Sequence, residues 1–176
     1  DNGGAVANVN PSGEVTTSFY SNNVTYWANS ASTGGGIYNT GDYELVNSTI
    51  AENEAVAGAA IYNAGTMDMI NATIAYNSAV VVGGGVYQVD GNLYSLNTIM
   101  ALNTSDSVAD DYYYISGNLF DLGYNLVGES STGEWTAVGD ISYDESVDGQ
   151  LFSFSGTEDN GGWTYTLALS AGSVAI

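Results

Sequence analysis

The sequence predicts an all-β chain wound as a right-handed parallel β-helix, a solenoid of about 24 residues per rung, in one domain over residues 1–176. Three observations predict it. First, GGIYNTGDYELVNSTIAEN at 35–53 returns as AAIYNAGTMDMINATIAYN at 59–77 and again as GGVYQVDGNLYSLNTIMALN at 84–103. Second, apolar residues inside a copy alternate (Tyr43 and Leu45; Met67 and Met69), which is the period of a strand and not of a helix. Third, the chain has 23 Gly and a single Pro, so its turns need positive φ rather than a fixed ring.

The elements follow in chain order. A looser first copy runs through Gly3, Gly4, Ala5, Val6, Ala7 and Asn8, then Gly13-Glu14-Val15, then Ser18 to Asn22. VTYWANSAST, 24–33, reads as a longer link to the next copy. Regular rungs span 3–105, and 106–176 form less regular C-terminal rungs and a tail. Ile37, Ile61 and Val86 correspond, as do Asn47, Asn71 and Asn97, and Asn53, Asn77 and Asn103. A unit this short cannot bury its apolar face alone, but stacked units can, with strands about 4.8 Å apart. Ile37, Leu45, Ile50, Ile61, Met69, Ile74, Val86 and Leu96 are expected inside. Small residues at 34–36, 58–60 and 83–85 let the backbone turn and stack closely. A leucine-rich repeat would need its Leu framework and a helix, and a calcium-binding nonapeptide repeat would need GGxGxD; neither is present.

Asn53, Asn77 and Asn103 are expected to stack as an amide ladder from rung to rung. N-x-S/T sequons stand at Asn23, Asn47, Asn71 and Asn103, which are glycosylation candidates, Asn23 foremost because it lies in the longer link. Tyr38, Tyr62 and Tyr87 each follow an inward aliphatic residue, so they face outward as a column of stacked rings. That column reads first as a stiffening ladder and second as a sugar-binding stripe.

Composition excludes several partners. All 20 charged side chains are acidic, giving −20, with no Lys, Arg or His. Such a chain cannot neutralise phosphates through its own side chains, so nucleic acid is excluded, and anionic lipid is repelled. No apolar run is long enough to span a membrane. Without Cys there is no disulfide framework. The opening at Asp1, just before Gly3-Gly4, reads as a mature or trimmed form.

Catalysis meets the same limit. A polysaccharide lyase needs a cation for its carbanionic intermediate, and phosphoryl transfer needs a Lys or Arg clamp. Serine and cysteine triads need His. A paired-carboxylate glycosidase survives on residue type, with Asp110, Asp111 and the run Asp140, Asp144, Glu145 and Asp148 as its carboxylates. The expectation is no enzyme and no cofactor. The same run, Asp140 to Asp148, offers oxygen ligands for Ca²⁺, although its spacing matches no standard loop.

The repeat GGGIYN…NSTI…N resembles the β-helix repeats of large bacterial and archaeal surface proteins. The second half is similar to their choice-of-anchor Q region: NTIMA at 97–101, LGYNLVG at 122–128, GDI at 139–141, DNGGWTYTLAL at 159–169 and AGSVAI at 171–176. That family usually has Pro where Trp163 and Val174 stand, and an Asp after the last residue. The resemblance implies a secreted, surface-associated β-helix with no known catalytic set.

Together these readings predict a non-catalytic extracellular structural protein. Its first rung, at Gly3, Gly4, Ala5 and Val6, would expose strand edges to copies of itself, head to tail, as in a filament. A cell-surface adhesin that binds polysaccharide is the alternative, and the carboxylate glycosidase a second one.

Overall fold

A computed structural model describes residues 1–11, 17–106, 110–132, 135–153, 156–162 and 164–176. Gly13-Glu14-Val15 of the first copy and Trp163 of the C-terminal motif lie outside the described residues. The chain is a β-solenoid of about four turns, nearly all parallel strand, with one four-residue helix, Glu145–Asp148, among the described residues.

Each turn contributes strands to three sheets. Sheet 1 stacks Val6–Asn8, Ile37–Asn39, Ile61–Asn63, Val86–Gln88 and Tyr112–Tyr114. Sheet 2 stacks Ser18–Asn22, Asp42–Val46, Thr66–Ile70, Asn92–Leu96 and Asn118–Asp121. Sheet 3 stacks Thr25–Trp27, Thr49–Ala51, Thr73–Ala75, Ile99–Ala101, Leu126–Val127 and Ile141–Ser142. A shorter pair, Glu54–Ala57 with Ser78–Val82, closes two of the turns.

Register follows the repeat. Ile37 pairs Ile61, Ile61 pairs Val86 and Val86 pairs Tyr112. Ile37, Leu45, Ile50, Ile61, Met69, Ile74 and Val86 are fully buried, and so are Met67, Leu93 and Met100. Burying each such side chain contributes about 1.5–3 kcal/mol.

Leu96 is a correction. It pairs Ile70, which pairs Val46, and all three stand in a partly exposed outward column. Alternation along Asn92–Leu96 sends Leu93 and Ser95 inward instead, and Ser95 Oγ donates to Asn125 Oδ1 at 2.9 Å. Ser95 is tolerated in the core because it has that partner.

The link at 24–33 is also corrected. Thr25–Trp27 is a regular sheet 3 strand, and Tyr26 pairs Ile50 as an inward residue. Its hydroxyl lies 2.7 Å from Ser21 Oγ and 3.0 Å from Tyr43 Oη, which supply the partners a buried phenol needs. The additional residues of the first turn fall earlier. Val6 pairs Ile37, and its neighbour Asn8 bonds Asn39 across 31 positions. Sheet 2 keeps the shorter step, Ser18 pairing Asp42.

Corners explain the recurrent Gly and Asn. Gly34, Gly58 and Gly83 have φ of 64°, 62° and 63°, where a Cβ is strained. A Cβ on Gly35 would stand 2.6 Å from Ala59 O on the next rung. Between sheets 2 and 3, Asn47, Asn71 and Asn97 take φ of 49°, 54° and 50°, a conformation Asn tolerates better than most L-residues.

The C-terminal segment doubles back over the outer face of sheet 3. Tyr143, Leu151, Phe152 and Leu167 cluster with Ala51, Ala75, Ala101 and Leu126. The outward column Ala51, Ala75 and Ala101 is small, so the segment can lie close there. Its antiparallel bridges are Phe152 with Leu169 and Glu158 with Thr166.

Candidate functional site

The two ends of the solenoid differ in how their strands finish. At the first rung, Val6–Asn8, Ser18–Asn22 and Thr25–Trp27 are each the outermost strand of their sheet. Gly3 and Gly4 donate their amides to Thr33 O and Gly34 O, which ties them to the second rung. Phe19 occupies the inward column of Tyr43, Met67 and Leu93, yet it is 42% exposed, since among the described residues no strand lies beyond its own. It stacks on Tyr43 at 5.2 Å. Gly3, Gly4, Ala5 and Val6 therefore sit at an open edge, and Ser18–Asn22 and Thr25–Trp27 extend that edge around the rung.

The far end is finished differently. Trp135 packs against the main core, edge-on to Tyr112 with ring centres 5.2 Å apart. Ser131 N donates to Tyr112 O at 3.0 Å, and Ser131 Oγ accepts from Tyr114 N at 2.8 Å. Asp121 Oδ2 accepts the Thr136 and Ala137 amides. The last strands of sheets 1 and 2 are thus engaged by the chain that follows them.

Between the ends run amide ladders. Asn29 donates to Asn53 Oδ1 at 2.9 Å, Asn53 to Asn77 at 2.8 Å, and Asn77 to Asn103 at 2.8 Å. Asn103 then donates to Asp111 Oδ1 at 2.7 Å. Asn53, Asn77 and Asn103 also reach back across their corners, to Ala51 O, Ala75 O and Ala101 O. A second buried ladder runs Asn8, Asn39, Asn63 and Gln88, with steps of 2.9, 2.8 and 2.8 Å. An exposed ladder joins Asn47, Asn71 and Asn97 in the opposite sense.

Asp111 ends the first ladder for a physical reason. Every amide in it points its N–H toward the far end, so that terminus needs an acceptor. Asp111 Oδ1 takes both the backbone and side-chain N–H of Asn103, and Oδ2 takes the Glu129 amide at 2.8 Å. Burial pushes its carboxyl up to about 6, against the pull of these donors.

The carboxylates singled out in the sequence converge only in part. Asp110, Asp111, Asp144 and Glu145, with Glu129, Tyr76 and Tyr143, line a pocket of about 660 Å³ between the last rungs and the C-terminal region. Asp140 is elsewhere. Its Oδ1 accepts the Asn125 amide at 2.7 Å, and it faces Asp121. Burial and the hydrogen bond to Asp121 raise Asp140. Burial opposes ionisation of Asp121 too, but bonds from Asp140 and the Ala137, Gly123 and Thr136 amides hold it low.

Asp144 caps the short helix, its Oδ1 accepting Ser146 N and Oγ, while Asp148 Oδ2 accepts Asp144 N. Among the described residues no group of three or more acidic side chains is placed to hold a metal, so Asp140, Asp144, Glu145 and Asp148 do not form one cage.

The sequons separate by environment. Asn23, Asn47 and Asn71 are exposed. Asn103 is 4% exposed, with its amide committed to Ile74 O, Ala101 O and Asp111, so a glycan there would break the ladder. The tyrosine column is stacked only at its start. Tyr38 and Tyr62 lie parallel at 4.8 Å, whereas Tyr62 to Tyr87 and Tyr87 to Tyr113 meet edge-on at 5.6 and 5.9 Å. Edge-to-face contacts suit the ring quadrupole as well as stacking does.

No family model matches the chain, and no curated protein or solved structure matches it. No helix of the described residues is long and apolar enough to cross a membrane.

Proposed function

We propose that this protein is a non-catalytic, extracellular structural subunit that joins copies of itself through its first rung. The observation that carries the proposal is the contrast of ends among the described residues: three strands with no outer neighbour and a half-exposed Phe19 at one, and a Trp135 cover at the other. Because the far end is covered, plain head-to-tail stacking of rungs is disfavoured and strand exchange is favoured. The segment 150–176 suits exchange. Among the described residues its backbone–backbone bonds close within itself, and Thr25 Oγ1 donating to Tyr165 O at 2.5 Å ties it to the first rung. Packing side chains hold the rest, and these can be re-made on a second copy. A contact between two different surfaces propagates as a filament. A surface location rests on the resemblance to choice-of-anchor Q proteins.

Like charge on every subunit opposes contact, so Ca²⁺ or acid should promote it. The test is light scattering and electron microscopy of the purified chain with Ca²⁺, with chelator, and at low pH. Elongated assemblies with Ca²⁺ or acid support the proposal. A monomer under all three conditions removes it and leaves a monomeric adhesin.

A second reading draws on the carboxylate-lined pocket, which would suit a glycosidase acting on neutral sugars. Asp111 spends both oxygens on structural amides, which leaves Asp110, Glu129, Asp144 and Glu145 for chemistry. Sugar release that disappears in Asp110→Asn or Asp144→Asn would establish it, and its absence across neutral polysaccharides would dismiss it.

A further inference from the structure

The outer face of sheet 2 forms a second surface, along the side wall of the solenoid. Its central column is Tyr20, Glu44, Asp68, Tyr94 and Phe120, in register on consecutive strands. One flanking column is Asp42, Thr66, Asn92 and Asn118; the other is Val46, Ile70 and Leu96, with Leu122 beyond. Tyr94 and Phe120 lie flat on each other, ring centres 4.3 Å apart and planes 7° apart. Phe120 is 40% exposed and Leu122 54%. A pocket of about 380 Å³ opens between Asp68, Ile70, Tyr94 and Leu122. Sheet 3, by contrast, has its outer face covered by the C-terminal segment.

The fold does not explain this surface. Exposed rings and aliphatic side chains grouped on one face usually mark a contact. Glu44 and Asp68 stand directly opposite on neighbouring strands, an arrangement that destabilises a sheet. Burial, then Glu44, then Asp42, push the Asp68 carboxyl up. The chain has no Lys, Arg or His to relieve them.

We infer that the outer face of sheet 2 is a docking surface for a linear amino-sugar polymer. Its ammonium groups would meet Asp42, Glu44 and Asp68, and its sugar C–H faces would lie on the Tyr94–Phe120 pair. Charge complementarity selects a cationic occupant, since a neutral glycan leaves the carboxylates unpaired and an acidic one is repelled. The flat ring pair adds cation–π and stacking contact. Thr66, Asn92 and Asn118 supply hydroxyl-bonding groups alongside. A basic peptide would satisfy the charges but makes no particular use of a flat platform in line with them.

The test measures calorimetric affinity of the full chain for a glucosamine tetramer, at a pH where its amines are protonated. The N-acetylated tetramer and tetralysine are measured alongside. The glucosamine oligomer is expected to bind at least about tenfold tighter than either. The pairs Glu44→Gln/Asp68→Asn and Tyr94→Ala/Phe120→Ala should each weaken it by about tenfold or more, while Glu54→Gln/Glu158→Gln, at exposed carboxylates off sheet 2, leaves it unchanged. Thermal melts establish that the variants fold. The Glu44→Gln/Asp68→Asn pair relieves repulsion and keeps the test decisive if the aromatic pair fails to fold. Absence of binding, equal binding of the N-acetylated oligomer, or full affinity in Glu44→Gln/Asp68→Asn would overturn the inference. Equal binding of tetralysine would overturn it in favour of a basic-peptide surface.

Discussion

Among the described residues, the strands of the first rung have no outer neighbour, whereas the last strands of sheets 1 and 2 are engaged by the chain that follows them. The first rung leaves three strands without an outer neighbour and one inward aromatic, Phe19, half in water. The last rungs are covered by Trp135, and Ser131 and the Thr136 and Ala137 amides are bonded to the terminal strands. The ladder that joins the ends shows the same asymmetry. It begins at Asn29, near solvent, and ends on a buried carboxylate that accepts from three N–H groups. A closed end contributes to the stability of one molecule, and the proposed function assigns the open end to contact with the next.

Breaking the ladder in its middle should have the largest effect. Asn77→Leu removes three donated bonds, to Ile50, Ala75 and Asn103, and strands Asn53. Unfolding in urea should show a loss of about 4 kcal/mol or more, since each buried orphan costs about 1–3 kcal/mol. Asn29→Ala, at the open end, should cost only about 1 kcal/mol.

Trp135→Ala comes next. It uncovers the closed end and should destabilise by about 3 kcal/mol. On the proposed assembly it should also give longer particles by microscopy, because plain stacking then has two open ends. Unchanged assembly in this variant would argue that Trp135 does not set the difference between the ends.

Asp111 sharpens the comparison through pH. Its folded value of about 6 lies above the ordinary carboxylate value of 3.8, so the folded state holds this proton more tightly. The Asp111 contribution to stability is therefore fully present below about pH 4 and is lost as pH rises through about 6. The loss is on the order of 2–3 kcal/mol. The difference in urea stability between the wild type and Asp111→Asn, followed from pH 4 to 7, should carry that slope. A flat difference would mean that the amide donors outweigh burial.

Phe19→Asp should have the smallest effect on the monomer, about 0.5–1 kcal/mol, because the side chain is already half solvated. It should nevertheless abolish assembly.

Much of this was legible in the sequence because the repeat carries it. Period-two alternation placed Ile37, Ile61 and Val86 inside, and the recurrent Asn53, Asn77 and Asn103 announced their ladder. Leu96 misled because Asn92-Leu93-Tyr94-Ser95-Leu96 alternates equally well in either phase, and a buried Ser reads as a surface residue. Thr25-Tyr26-Trp27-Ala28-Asn29 does match Thr49-Ile50-Ala51-Glu52-Asn53, but the aromatic substitutions hid the rung. Outward Ala51, Ala75 and Ala101 were the trace of the covering segment, and Ala is too common in strands to announce it. Asp111 as the ladder's terminus depends on a contact across a loop, with no periodic signal. Trp135 as a cover and the sheet 2 surface likewise need the coil to be closed before their neighbours are known.

The central claim is that the open first rung is the contact between copies, and hydrogen exchange tests it most directly. Exchange is followed in the monomer held with chelator and in the assembled protein. Amides of Val6–Asn8, Ser18–Asn22 and Thr25–Trp27 should slow on assembly, while those of Tyr112–Tyr114 and Asn118–Asp121 stay as they were. Protection that appears only at the far end or on the side walls, with the first-rung strands unchanged, would contradict it.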